Sequence, residues 1–183
     1  DANNHAIEVI ESEGCEAVLP GLMDFFFYCF HNAGWKHRNL GTSRFSAIVA
    51  TLGNAIMALY RRPAVRALAA TNGKFMVPVS IHHLAERAQD VLSLGNDSGE
   101  GWFLTAEMLE LIEAGVPNII CAQPFACLPN HVTGKGMIKE LRRLYPQTNI
   151  VPIDYDPGAS EVNQLNRIKL MIATALQKRS STV

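Results

Sequence analysis

The sequence has no Cys-x-x-Cys pair, although it contains four cysteines, at positions 15, 29, 121 and 127. Because self-contained zinc knuckles and ferredoxin-type clusters use such closely spaced thiols, neither is encoded here. A secretory signal pattern is also missing, so disulfides are not expected. Each cysteine therefore has to be judged by its own surroundings.

A charge excess and a long apolar run are missing too. The formal net charge of −1 gives no electrostatic basis for binding nucleic acid or an anionic membrane surface. The longest apolar stretch, residues 45–60, is interrupted by Ser46, Thr51 and Asn54 and is shorter than the ~20 residues of a spanning helix. We therefore expect a cytoplasmic protein that binds neither nucleic acid nor membrane.

The composition is that of an ordinary globular chain. Hydrophobic residues make up 48 % and charged residues 18 % of 183 residues, which is enough for one sizeable core. The chain opens with Asp1 rather than Met, inside what the pattern predicts to be a helical region. We predict that residues 1–183 form a single α/β domain and that it is a fragment of a longer chain.

The second half alternates helices with short apolar strands. A parallel sheet with right-handed crossovers is the usual result of such alternation. The predicted elements are a helix at Trp102–Ala114, a strand at Asn118–Ala122, a helix near Gly134–Leu144, a strand at Asn149–Ile153, and a last helix capped by Ser160 that runs to about Lys178.

The first half is predicted to add one strand and several helices. Two helical stretches, His5–Glu13 (capped by Asn3 or Asn4) and Leu22–Phe30, flank a strand at Cys15–Leu19 that joins the sheet, and an exposed loop covers Asn32–Thr42. Residues 43–94 form a helical insertion, broken near Pro63 and at Asn72-Gly73. The fold expected is a small Rossmann-like parallel sheet flanked by helices, with this insertion packed against it.

One cysteine stands in a loop where ligands bind. Cys127 lies between two prolines in QPFACLPNH, after the strand at Asn118–Ala122, and α/β proteins bind ligands beyond the carboxyl ends of their strands. A thiolate beside helix N–H groups has a lowered pKa and suits a metal or nucleophilic attack. An inert residue packed under the loop is equally compatible with the sequence. Cys15, Cys29 and Cys121 are predicted to be small structural hydrophobes.

Other residues could join Cys127 in a site. His131 and Lys135, at the predicted helix start, could bind an anion. The loop Gly99-Glu100-Gly101 could bring backbone amides or a carboxylate to a ligand, or it could be a plain connector between helices. The pair His82-His83 is predicted to be half-exposed rather than a metal site.

Two stretches of the sequence resemble a known family. They are GCEAVLPGLMDFFFYC, at residues 14–29, and residues 99–170, which include QPFACLPNHVTGKGMIKEL and IDYDPGASEVNQLNRIKL. Both are similar to the C-terminal part of the CoA-substrate-specific enzyme activases, also described as activators of (R)-2-hydroxyglutaryl-CoA dehydratase. In that family an ATP-binding activase domain precedes regions similar to 2-hydroxyacyl-CoA dehydratase subunits, and this chain resembles the dehydratase-like part alone.

The resemblance implies a cofactor. The dehydratase subunits hold a [4Fe-4S] cluster on cysteines from separate domains, and the last domain supplies one in the loop after a parallel strand. Cys127 matches that cysteine, and Asp154 matches an acidic residue that follows. His131 and the loop of Gly99, Glu100 and Gly101 are then expected to line the cofactor pocket. The remaining cluster ligands would lie upstream, so this piece alone is not expected to hold the cluster or to be active.

The partners implied are upstream domains of the same parent chain and an ATP-dependent activase domain or a dehydratase subunit, and a homodimer is left open. Two alternatives to cluster chemistry remain. A non-catalytic docking module predicts a large exposed apolar patch on the helices of residues 43–94. A hydrolase with Cys127 as nucleophile requires His131 within hydrogen-bonding reach of the sulfur. Cluster chemistry predicts an accessible Cys127 at the carboxyl edge of the sheet.

Overall fold

A computed structural model describes residues 3–156 and 158–180. In chain order the elements are α1 Ala6–Ser12, α2 Leu22–Leu40, α3 Arg44–Ala69, α4 Ile81–Gln89, α5 Trp102–Glu113, β1 Asn118–Gln123, a π turn Asn130–Gly134, a 3-10 turn Lys135–Met137, α6 Ile138–Leu144, β2 Asn149–Asp154 and α7 Glu161–Ser180. None of the helices in this part of the chain is long and apolar enough to cross a membrane.

The sheet of the described residues consists of β1 and β2, which run parallel and pair from Asn118 with Asn149 to Gln123 with Asp154. Both strands lie within a residue of the predicted bounds. The helix-strand-helix-strand-helix order of the second half is therefore confirmed, and the molecule is a helix-rich α/β structure. Its carboxyl edge is formed by Gln123 and Asp154.

The predicted strand at Cys15–Leu19 is wrong. This segment is extended but forms no ladder with the described part of the chain. Its side chains still pack inward: Cys15 contacts the cluster of apolar residues between α7 and β2, and Val18 contacts the one between α5 and β1. An alternating apolar pattern reports which side chains are buried, and it does not report whether a neighbouring strand is present.

The predicted loop at Asn32–Thr42 is also wrong, because α2 continues to Leu40 and ends at Gly41, whose φ is 67°. Asn32 is buried inside this helix, where its Oδ1 accepts a hydrogen bond of 2.9 Å from the Trp102 indole nitrogen. Asn32, which the sequence pattern placed in a loop, thus accepts the hydrogen bond that a buried tryptophan needs.

The helix α3 is continuous through Pro63, where a break was predicted. The side chain of Pro63 is exposed, so water can solvate the carbonyl that loses its helical partner. The predicted break at Asn72-Gly73 is confirmed, since both residues have positive φ. Cap positions differ at α1, where His5 rather than Asn3 or Asn4 precedes the first turn.

One ion pair fastens α3 to α2. The guanidinium of Arg61 donates two hydrogen bonds, of 2.6 and 2.9 Å, to the buried carboxylate of Asp24. Burial raises the pKa of Asp24, and the bonds from Arg61 act in the opposite direction. Removing either partner would leave a buried charge unpaired, which destabilises a protein strongly.

The core lies around α5. One cluster joins it to α2 and α4 through Trp102, Tyr28 and Leu84, and a second joins it to β1, α6 and β2 through Leu109 and Leu141. A third, smaller cluster lies under α7. The sheet and the loops at its carboxyl edge are therefore anchored to one buried helix.

Candidate functional site

Cys127 lies beyond the carboxyl end of β1, as predicted. A backbone hydrogen bond of 3.3 Å from its N–H to the carbonyl of Pro124 closes a turn, and Ala126 inside that turn has a φ of 59°. A non-glycine residue with positive φ is uncommon and marks a tightly shaped backbone. The thiol is partly buried, whereas the neighbouring Phe125 and Leu128 are both 70 % exposed.

A side-chain amide is bonded to this sulfur. Asn130 is buried at the start of the π turn, and its Nδ2 donates a hydrogen bond of 3.1 Å to the Cys127 Sγ. An amide N–H that bonds a metal-bound cysteine sulfur stabilises the charge on that sulfur and tunes the metal site. Asn130 is not among the site residues predicted from the sequence, although a residue three positions along a helical turn faces the same side as Cys127.

His131 takes a different role from the one a hydrolase needs. Its Nδ1 lies 3.0 Å from the backbone carbonyl oxygen of Cys127, so that nitrogen donates to the carbonyl rather than accepting from the thiol. Its ring also meets Phe125 edge-on at 6.5 Å between centroids. Among the described hydrogen bonds, Asn130 and not His131 reaches the sulfur, and His131 stiffens the loop.

The glycine loop lies against the cysteine loop. Gly99 has a φ of 59°, and a Cβ placed on it would come within 3.0 Å of the Pro129 ring. The hydroxyl of Tyr28 donates to the Gly99 carbonyl at 2.9 Å, which fixes the glycine loop from the core side. Two of the segments singled out from the sequence are thus neighbours, and the approach requires a residue without a side chain.

Glu100 faces a separate groove of about 430 Å³, whose lining residues are Pro20, Gly21, Leu22, Phe25, Glu100, Phe103 and Glu107. Burial raises the pKa of Glu107 to about 8, and the negative charges of Glu110, Asp24 and Glu100 add to this. At neutral pH this carboxyl is therefore mostly protonated and can donate a hydrogen bond. No pattern in the sequence had singled out Glu107.

The other cysteines differ from one another. Cys121 is buried, and burial together with the charges of Glu107 and Asp154 raises the pKa of its thiol to about 11. This is the neutral, structural thiol that was predicted. Cys29, predicted to be buried, is instead exposed on α2, because the helix turns that position outward. Cys15 is partly buried, in agreement with a structural role.

Asp154 lies at the carboxyl edge beside the end of β1. Its Oδ1 accepts a hydrogen bond of 2.6 Å from the Gln123 Nε2, and its backbone carbonyl accepts one of 2.7 Å from the Gln164 Nε2. Lys135 lines another groove, of about 340 Å³, with Lys139 and Arg142. The anion site expected from His131 with Lys135 gains no further support, because the His131 Nδ1 is bonded to the loop carbonyl.

The described residues could supply one ligand of an iron–sulfur cluster, and not a complete set. They contain no group of three or more His, Cys, Asp or Glu side chains arranged to hold a metal ion. Cys127 offers a single cysteine sulfur on a shaped loop with an N–H donor, which suits a cluster ligand. Any cluster bound here needs further ligands from outside this set of residues.

Searches of protein-family models, of curated proteins and of solved structures found no match to this chain.

Proposed function

We propose that this chain is a dehydratase-like α/β domain, of the kind that the activase-family resemblance implies, and that Cys127 supplies one thiolate to a [4Fe-4S] cluster. The other ligands come from upstream domains of a longer parent chain, and further strands from the same chain extend β1 and β2 into a Rossmann-like sheet. The cluster, when bound, supplies low-potential one-electron transfer.

The observation that supports this proposal is the hydrogen bond from Asn130 to the Cys127 sulfur at the carboxyl edge of the sheet. A thiol that only fills space gains little from a buried amide donor, whereas a thiolate ligand is stabilised by one. Cys121, whose thiol pKa is raised to about 11 by burial, is an example of a thiol that only fills space.

Each neighbouring residue has a task in this proposal. His131 holds the Cys127 carbonyl, so the loop keeps its shape when the sulfur is bound. Gly99 lets the glycine loop lie against Pro129 and cover the site from one side. The exposed Phe125 and Leu128 are placed to exclude water once another domain covers them.

The test uses the parent chain, reconstituted anaerobically with iron and sulfide. We expect the Cys127→Ser variant to lose or destabilise the cluster, measured by iron and sulfide content and by visible absorption. Cys29→Ser is the matched control, because Cys29 is an exposed thiol on α2. In Asn130→Leu, which removes the donor but not the ligand, the cluster should remain and its reduction potential should shift to a more negative value.

Two outcomes would count against the proposal. If Cys127→Ser holds as much iron and sulfide as the wild type, Cys127 is not a ligand. If Asn130→Leu leaves the reduction potential unchanged, the amide does not bond a liganding sulfur.

A second candidate function is a docking module for an activase domain or a dehydratase subunit. It is favoured by the exposed apolar side of α3, which is the patch that a docking module predicts within residues 43–94. Patches of this kind mark interaction sites more often than chance exposure. Binding of a purified ATP-dependent activase domain or dehydratase subunit tests it: Leu52→Glu should weaken the complex, and an unchanged affinity would exclude this side of α3 as the site.

A further inference from the structure

The outer side of α3 is apolar and exposed over most of its length. We call it the α3 face, and its seven large side chains are between 47 and 79 % exposed: Phe45, Ile48, Val49, Leu52, Ile56, Leu59 and Tyr60. Ala50, packed toward α2, is the one buried residue of this 26-residue helix. A helix that is apolar on both sides is normally covered on both sides.

The α3 face is large enough for a stable interface. From Phe45 to Tyr60 it extends about 22 Å along the helix at 1.5 Å per residue. No charged residue interrupts these positions. A standard interface takes about 800 Å² from each partner, with an apolar centre and few charges there, which is the character of this face.

The face is nearly symmetric about Leu52. Ile48 and Ile56 lie four residues to either side of it, and Phe45 and Leu59 lie seven residues to either side. If two copies of α3 pack antiparallel with a two-fold axis at Leu52, each Ile48 meets an Ile56 of the other copy, and each Phe45 meets a Leu59. Such self-complementarity is what an isologous dimer requires.

The charges near the α3 face lie outside its centre. At 3.6 residues per turn, Arg44 and Arg62 are both about 80° around the helix from Leu52, along the same edge of the face. The helix contains no carboxylate. A second copy centred on Leu52 would therefore cover apolar side chains without burying a charge.

We propose that a second copy of this chain covers the α3 face, packed antiparallel about Leu52. This inference rests on the same exposed side of α3 as the docking candidate above, but its occupant is a second copy of this chain instead of an activase domain or a dehydratase subunit. A lipid surface fits less well: interfacial helices present a solvated, charged side opposite the apolar one, whereas the opposite side of α3 packs on α2. The pair Arg61–Asp24 holds α3 in place, so the surface is formed before the second copy arrives.

Sedimentation velocity of the full chain over a concentration series tests the dimer. We expect a reversible dimer whose dissociation constant rises at least about tenfold in Leu52→Glu, which places two carboxylates on the axis. Leu170→Glu is the matched control, because Leu170 is 70 % exposed on α7, away from α3, and the same change there should leave the dimer intact.

Cross-linking tests the register. In a Cys29→Ser background, which serves as the blank, Leu52→Cys should cross-link to itself with a short bis-maleimide. Phe45→Cys and Leu59→Cys should cross-link only when the two variants are mixed. Self-linking of Phe45→Cys without mixed linking would indicate a parallel pair and overturn the proposed geometry.

The remaining outcomes separate this inference from the proposals on which it stands. A chain that stays monomeric at about 100 µM, above the micromolar dissociation constants of weak standard-size interfaces, overturns it. The proposed dimer is also overturned if the chain is a monomer that binds phosphatidylcholine–phosphatidylglycerol vesicles, or a monomer that binds an activase domain through the α3 face. The last result overturns the second copy but keeps the docking candidate, and the iron content of Leu52→Glu reports on the cluster independently.

Discussion

The helices α3 and α5 are both mostly apolar, yet α5 is buried and α3 is largely exposed. Nine of the twelve residues of α5 are buried, whereas Ala50 alone is buried in α3. The helix α5 is surrounded by α2, α4, β1 and the π turn, whereas α3 packs mainly on α2 over a narrow stripe. Apolar composition thus shows that a helix is to be covered, and it does not show whether this chain or another molecule covers it.

Because α5 is buried and α3 is exposed, removing an aromatic side chain should lower the free energy of unfolding far more in α5 than in α3. Trp102→Ala should lower the free energy of unfolding by about 3 to 5 kcal/mol, because it leaves a cavity and an unpaired Asn32 oxygen. Phe45→Ala should change it by less than about 0.5 kcal/mol in dilute, monomeric protein. Urea unfolding measures both, and similar costs would show that α3 is covered within the chain itself.

The glycines that border the two helices sharpen the comparison. Gly101, which precedes α5, has a φ of 47°, and a Cβ there would come within 2.2 Å of the Asn96 carbonyl oxygen. Gly101→Ala should therefore cost roughly 2 to 4 kcal/mol. Gly41, between α2 and α3, has a φ of 67° and open space around it, so Gly41→Ala should cost only about 1 kcal/mol. Thermal or urea unfolding should show this order, and equal losses would contradict the close packing at Gly101.

The partly buried carboxyl of Glu107, on α5, predicts a pH dependence. The folded-state pKa of Glu107 is raised to about 8 from an ordinary value of 4.5, so the folded protein binds this proton more tightly than the unfolded chain does. Its contribution to stability is complete below pH 4.5 and is lost as the pH rises toward 8, by roughly 2 to 4 kcal/mol. Glu107→Gln should remove this contribution to the slope.

The control for that slope is Glu86→Gln, which changes an exposed glutamate on α4. Unfolding free energies measured between pH 5 and about 8.5 should fall less steeply in Glu107→Gln than in either the wild type or the control. The pKa values of Glu110 and Asp24 are also raised, so part of the slope should remain. A slope as steep in Glu107→Gln as in the control would show that Glu107 is not the titrating group.

The sequence predicts the second half of the fold well and the first half poorly. The strands β1 and β2 are short, apolar and bounded by Pro, Gly and Asn, so local chemistry determines them. The strand at Cys15–Leu19 fails because pairing depends on a neighbour that local chemistry does not specify. The loop expected before Thr42 and the break expected at Pro63 fail because tertiary packing and solvent exposure outweigh local propensity.

In the candidate site, too, some features could be predicted from the sequence and others could not. The position of Cys127 at the carboxyl edge of the sheet is correctly predicted, since it follows from chain order. It does not find Asn130 or Glu107, because hydrogen bonding to a sulfur and burial of a carboxyl depend on which elements pack together. The role of Cys127 as a cluster ligand and the family resemblance stay predictions.

The π turn at Asn130–Gly134 rotates the side chains that follow it around the helix axis, relative to those that precede it. A π turn contains about one residue more than an α turn, so it shifts the phase of the chain by about 100° before α6 begins. The phase shift lets Asn130 face the Cys127 sulfur while Ile138 and Leu141 still face the core. If one residue were deleted from this turn, Asn130 could no longer face the sulfur while α6 packs on the core. Either the hydrogen bond to Cys127 or the packing of Ile138 and Leu141 would be lost.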